Sequence, residues 1–192
     1  SYLHYRKGSL VMYALKDYLG EEVINSAIRK LIQHHAYQSS PYAVSSDLIR
    51  YLKEETPVKQ HDLLDDFLKK ITMFDLKLIE SNVTTMTDGR FKVSLKVEAT
   101  KFYEDEIGQQ EEALFDIPVD IGLFIKNPDD SDFKESDIIK LGKQKVVGGH
   151  STIEFIVEQE PKFAGIDPYH KLIDREPDDN IGEVTVDSIK GM

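Results

Sequence analysis

The sequence predicts an α+β protein in two parts, a short all-helical segment followed by an antiparallel, immunoglobulin-like β-sandwich. Three observations predict it. Apolar residues recur at helical spacing from Lys7 to Met73, they recur at every second residue after Met73, and the charge balance changes at the same place. Residues 1–73 carry 10 Lys and Arg against 9 Asp and Glu, whereas residues 74–192 carry 14 against 26. The domains that follow are a helical part over 1–73 and a sandwich over 74–192.

The first helical stripe is Leu10, Val11, Ala14, Leu15, Tyr18 and Leu19, and it stops at Gly20, which suits a C-terminal cap. Val23, Ile24, Ala27, Ile28, Leu31 and Ile32 form the next, with Glu21 and Glu22 in the first turn, where the helix dipole favours acidic groups. Gln38-Ser39-Ser40-Pro41-Tyr42 reads as a loop. Ser45 or Ser46 is placed to cap a third helix carrying Leu48, Ile49 and Leu52, which must end near Thr56-Pro57. A fourth helix is expected from about His61 to Ile71, with Leu63, Leu64, Phe67 and Leu68 inward.

After Met73, Phe74, Leu76 and Leu78 alternate with polar residues, and Phe91–Ala99 alternates without a break, the mark of a half-buried antiparallel strand. Asp88-Gly89 between them is a hairpin turn signal. Phe115, Ile117, Val119, Ile121 and Leu123 alternate again, with Pro118 suggesting a sheet edge. Further strands are expected over Ile138–Val147, Ser151–Glu158 and Gly182–Ile189.

The net charge of −11 argues against nucleic acid, because phosphate binding needs clustered Lys and Arg. The chain has no Cys, so thiol catalysis and zinc–cysteine sites are excluded. No run of eighteen apolar residues occurs, so no membrane span is expected within the chain. Arg6 and Lys7 lead into an amphipathic stretch rather than a plain apolar core, so no signal peptide is expected.

The six histidines are His4, His34, His35, His61, His150 and His170, and none is followed by another four residues later. A metallopeptidase helix needs that spacing, because two imidazoles one turn apart grip zinc together. No metal ligand is therefore assigned. Asp129-Asp130-Ser131-Asp132 and Asp178-Asp179-Asn180 lack the alternating oxygens, bend glycine and distal Glu of a calcium loop, and read as solvated turns. Asn82-Val83-Thr84 is a formal glycosylation sequon in a predicted strand.

Tyr5-Arg6-Lys7-Gly8-Ser9-Leu10 opens a helix that ends in Asp17-Tyr18-Leu19-Gly20-Glu21-Glu22. This resembles the Tyr-x-Lys-Gly segment of the gluzincin aminopeptidases, the aminopeptidase N family. Ser45-Ser46-Asp47-Leu48 at the head of a later helix is similar to the closing part of that family's thermolysin-like domain, after which a β-sandwich follows. Val119-Asp120-Ile121-Gly122-Leu123-Phe124, Ala164-Gly165-Ile166-Asp167-Pro168-Tyr169 and the run Leu172–Asn180 resemble bacterial members attached to transporter-like membrane segments. The resemblance spans nearly the whole chain, but the zinc ligands, the general-base Glu and the amine-binding loop have no counterpart in it.

The resemblance implies a C-terminal fragment of a zinc aminopeptidase, inactive alone, whose parent removes N-terminal residues from peptides. Zinc would belong to the parent and no cofactor to this chain. The partners would be the upstream catalytic part of the same protein and, in the parent, the peptide substrate. A bacterial membrane-associated parent is compatible with it. Tyr5 is the one candidate catalytic residue, matching the family tyrosine that donates to the tetrahedral oxyanion. The competing expectation is an acidic binding or adhesion sandwich with a helical adapter, resting on the Asp-rich turns and the sandwich's negative charge. For Ala164–Asn180 the residues themselves suggest a role in closing the sandwich edge, with Asp174 and Arg175 pairing locally.

Overall fold

The computed structural model describes residues 2–186, with side chains from Gly8 onward. The chain divides into two compact units between Thr72 and Met73. The first is helical: α1 (Tyr2–Leu19), α2 (Glu21–His35), α3 (Ser45–Glu55) and α4 (His61–Leu68). The second holds nine strands among the described residues, so the expected α+β class with a β-sandwich is what the chain adopts. None of the described helices is long and apolar enough to cross a membrane.

Gly20 ends α1 by donating its N–H to the Lys16 carbonyl at 2.9 Å, and its φ of 93° suits a residue without a Cβ. The core of this unit is Val11, Ala14 and Leu15 of α1, Ile24 and Ala27 of α2, Tyr51 and Leu52 of α3, and Leu63, Leu64 and Phe67 of α4. These lie at the helical spacing that the sequence displays. Two local expectations need correction. Neither Ser45 nor Ser46 caps α3: the N-cap is Val44, and its N–H is taken by the Asp47 carboxylate at 3.0 Å. An acid in the first turn thus satisfies the donor that a capping serine would leave to its third residue. Helix α4 also stops early, at Leu68 rather than Ile71. The Asp65 carbonyl accepts from both Lys69 and Lys70, and the Thr72 hydroxyl donates to the Asp66 carbonyl at 2.7 Å, which turns the chain out of the helix.

In the second unit β1 (Ile71–Thr85) and β2 (Phe91–Glu104) form a hairpin. Only Gly89 of the turn takes a positive φ, 86°, and the Met86 N–H meets the Arg90 carbonyl at 2.7 Å. This is a three-residue loop with glycine in the left-handed position, not the two-residue primed turn that Asp-Gly favours. Strand β2 then pairs β3 (Gln110–Ala113) through Lys101–Glu104, and β6 (Gly149–Val157) through Phe91–Ala99. The second sheet has the order β5 (Ile138–Lys145), β4 (Pro118–Phe124), β7 (Phe163–Ile166), β8 (Ile181–Glu183). The chain then passes to β9 (Thr185–Val186), which pairs β1 in parallel, so its final described residues cross from one sheet to the other. The rest of the expected Gly182–Ile189 strand lies outside the described residues.

Phe74 and Leu76 point inward but Leu78 is only half-buried, and further on Ser81 and Val83 face the core. The alternation thus changes parity along β1. Strand β4 lies between β5 and β7, but β7 pairs with Ile121–Phe124 and not with Pro118, which sits opposite Lys145 of β5 at the first residue of the strand, where a missing N–H costs least.

On β4, Val119, Ile121 and Leu123 face the core, while Asp120, Gly122 and Phe124 on the opposite face are buried too. Gly122 pairs with Gly165 of β7, and a Cβ at Gly122 would stand 2.1 Å from Cζ of Phe124. The Phe124 ring, also in T-shaped contact with Phe133 at 5.7 Å, therefore lies where that Cβ would be. Gly122→Ala is expected to lower unfolding stability by about 1–3 kcal/mol through overpacking. Gly142→Ala on the adjacent strand meets nothing within 4 Å and is the matched control. Equal urea midpoints for the two variants would contradict this account.

Candidate functional site

The stretches Val119–Phe124 and Ala164–Asn180, remote in sequence, are brought together by β4–β7 pairing. Ile121 lies opposite Ile166, and Gly122 opposite Gly165. The four residues of β7 include Ala164 and Gly165 and show no usable alternation, so the sequence carries no signal for this strand.

Beyond β7 the chain is folded around three aspartates. The Asp167 N–H donates to the Asp120 carbonyl at 2.8 Å. The Asp167 carboxylate in turn accepts the backbone N–H groups of Lys171 at 3.1 Å and Leu172 at 2.8 Å. Asp167 has φ 44° and His170 φ 48°, so the turn is held in left-handed backbone that Asp tolerates better than most residues. The Asp120 carboxylate receives the Lys171 ammonium at 2.6 Å and the Lys143 ammonium, from β5, at 3.3 Å. Asp120 and Lys171 are both buried, a placement that needs pairing to be tolerated.

The third carboxylate ties this segment to β1. Asp174 accepts from the N–H groups of Leu76 at 3.2 Å and Glu176 at 3.1 Å, and from the Asn180 side-chain amide at 3.1 Å. Phe74 and Asp174 form a parallel bridge, with the Phe74 N–H on the Ile173 carbonyl and the Arg175 N–H on the Phe74 carbonyl, each at 2.9 Å. Asn180 is wholly buried, and its carbonyl accepts the Ile166 N–H at 2.9 Å. Asp174 and Arg175 therefore do not pair with each other: Arg175 extends over the Phe102 ring and toward Asp75 at 3.9 Å.

Burial pushes the Asp167 carboxyl up to about 6, with the two backbone N–H groups and His170 opposing the rise and Asp120 adding to it. Burial also raises Asp174, against hydrogen bonds from Glu176, Asn180 and Leu76. Raised carboxyl pKa values mark functional sites as well as structural networks. Here all three carboxylates accept from the protein's own N–H groups or ammonium groups. Chemically, the arrangement suits closing a loop onto two sheets rather than attacking or protonating a substrate.

Tyr5 lies on the first turns of α1 by its backbone, and its side chain lies outside the described residues. His34 stacks on Tyr51 at 5.6 Å and His35 meets the same ring edge-on at 6.3 Å. In the Asp129–Asp132 turn, Asp129 and Asp130 donate their N–H groups to Asn127, and Lys126 pairs with Asp132. His170 stands 3.6 Å from Asp129. Among the described residues no three His, Asp or Glu side chains converge on a point where a metal ion could be held. Comparison with known protein families and with curated proteins returned no match.

The pH dependence follows from Asp167. Its folded pKa lies above the unfolded value of 3.8, so its contribution favours folding below that value and is lost as pH rises through about 6. The span corresponds to about 3 kcal/mol. The stability of the wild type relative to Asp167→Asn should therefore fall between pH 4 and pH 7, as measured by urea denaturation at intervals. A difference that is flat or rises with pH would refute the assignment.

Proposed function

We propose that this chain is the C-terminal, non-catalytic portion of a zinc aminopeptidase-like protein, in which the sandwich serves as a scaffold beside the cleft of an upstream catalytic part. The observation that carries the reading is Tyr5-Arg6-Lys7-Gly8 within a helix, followed by three more helices and then a sandwich, the order of parts that the resemblance implies. The union of Val119–Phe124 with Ala164–Asn180 adds support, since the stretches that carry the resemblance form one packed structure.

In the parent, Tyr5 would donate its phenolic O–H to the oxyanion that forms on the scissile carbonyl. A phenol with a pKa near 10 stays protonated at neutral pH and supplies a neutral donor where negative charge develops. This donor acts in the transition state more than on bound substrate.

Two measurements test the reading. In the parent protein, Tyr5→Phe should lower kcat by about 10²–10³-fold with a much smaller change in KM, as for loss of one oxyanion donor. Unchanged turnover would remove Tyr5 from the mechanism. The 192-residue chain alone should hydrolyse no aminoacyl-anilide, with or without added zinc. The coding sequence upstream of residue 1 offers the cheapest check, since a His-Glu-x-x-His followed by a Glu must lie there.

A further inference from the structure

An edge strand offers unpaired backbone groups to any other chain, and proteins blunt such edges with shortness, lysine, proline or bulges. The sandwich does this at most of its edges. Strands β3, β8 and β9 are four, three and two residues long. Strand β5 carries Lys140, Lys143 and Lys145, and its ladder with β4 is broken by a shift at Leu123/Phe124. Strand β6 has none of these devices. It is nine residues long, contains no Lys, Arg or Pro, and pairs with β2 in unbroken register from Gly149 to Val157.

The backbone phase of β2 shows which groups of β6 face outward. The Met86 N–H on the Arg90 carbonyl directs even-numbered residues of β2 toward β1. The Asp105 N–H on the Gln109 carbonyl directs odd-numbered ones toward β3, the side that β6 shares. Opposite those odd residues lie Gly149, Ser151, Ile153, Phe155 and Val157, which therefore bond to β2. His150, Thr152, Glu154 and Ile156 turn their N–H and C=O groups the other way, where no strand among the described residues meets them. Ile153 and Phe155 point to the sandwich interior yet are only half-buried, and Ile156 is 51% exposed.

We infer that the free edge of β6 pairs antiparallel with β6 of a second copy of this chain, about a two-fold axis at Thr152. The order His150-Ser151-Thr152-Ile153-Glu154 selects that occupant, because it complements itself when reversed. Turned about Thr152, each His150 lies opposite the partner's Glu154, and the two Thr152 side chains meet on the axis. An imidazole N–H facing a carboxylate and a Thr–Thr pair are both favourable across a ladder, and the symmetry makes the first contact twice. An axis at Glu154 would set two carboxylates face to face, and one at Ile153 would leave His150 opposite Ile156. Within each copy, Glu98 stands 3.9 Å from His150 and Lys92 2.9 Å from Glu154, so the pairing continues the same row of charges. The solvent face of this stretch carries Lys92 and Lys96 against Glu98 and Glu154, a balance that gives a strongly acidic or basic strand no advantage. The net charge of −11 opposes association at long range, and a single strand edge buries less than the ~800 Å² per partner of a standard interface. The dimer is therefore weak and forms at high concentration.

The absence of cysteine from the chain allows a direct test. Residues facing each other in a hydrogen-bonded antiparallel pair have Cα atoms about 5.5 Å apart, within reach of a disulfide. Two Ile156 residues would instead lie about 27 Å apart, four residues from the axis on either side. Under mild oxidation at ~100 μM, Thr152→Cys should form covalent dimers at least about tenfold faster than Ile156→Cys or the helical-unit control Ser39→Cys. Equal rates for the three would overturn the pairing, and faster linkage through Ile156→Cys would overturn the register. Sedimentation of the unmodified chain from ~10 μM to ~1 mM is the second measurement, with average mass expected to rise toward that of a dimer. Thr152→Glu should weaken this association at least about tenfold, since two carboxylates would then meet on the axis. The substituted side chain faces Lys96 of its own β2, so the fold tolerates it. Undiminished association of Thr152→Glu would overturn the inference, as would a wild type monomeric throughout, which would leave the edge to some other strand.

Discussion

The contact between the Lys171 ammonium and the Asp120 carboxylate, 2.6 Å long and nearly out of water, fixes how the second unit closes. Asp120 lies on the face of β4 that turns away from the core, and Lys171 comes from the segment that crosses that face. Once the ammonium is seated, the Asp167 turn, the Phe74–Asp174 bridge and the return to β1 follow within a few residues. A buried ion pair of this kind is weak evidence for net stability, because desolvation offsets most of the attraction. Its consequence is in what it forbids: a shifted segment would leave a buried carboxylate without its ammonium. Lys143 at 3.3 Å joins the pair from β5, so three segments converge on one carboxylate.

The helical unit is held differently. Its interior is mainly aliphatic and aromatic, with Asp66 buried and paired with Lys70, while pairs such as Lys53 and Lys69 on Asp65, or Lys30 on Glu55, lie nearer the surface. Such pairs contribute little each. Small helical units have a limited core, and this one leaves several apolar side chains in water. The sandwich buries more charged groups, and its buried Asp167 and half-buried Asp174 are held largely by backbone N–H groups. That difference gives the sandwich its proton-sensitive carboxyls.

Much of the fold was legible because it is local. The stripe Val11, Ala14, Leu15 is a helix face in the sequence and in the core, and Val93, Leu95, Val97 and Ala99 alternate in both. Some local signals misled because a longer-range partner intervened. Pro118 reads as a sign of an edge strand, yet β4 gains a second neighbour, β7, from Ile121 onward. Asp174 and Arg175 read as a local pair, yet each binds β1 or β2 instead. The candidate site was legible as a motif, Asp-Pro-Tyr through Pro-Asp-Asp-Asn, but not as a geometry.

The sequence by itself determined the two periodicities, the place where they change, the uneven charge and the absence of a histidine pair at zinc spacing. Each depends on residues within a few positions of one another, where helix and strand geometry set which side chains share a face. The tertiary structure alone decided that β4 is an inner strand, that Gly122 and Gly165 face each other, and that Asp120 receives Lys171. Those partners are set by pairings across 51 residues for Asp120 with Lys171, and 98 for Leu76 with Asp174. Such contacts form only when register, burial and hydrogen bonding are satisfied together, and no local pattern records that agreement.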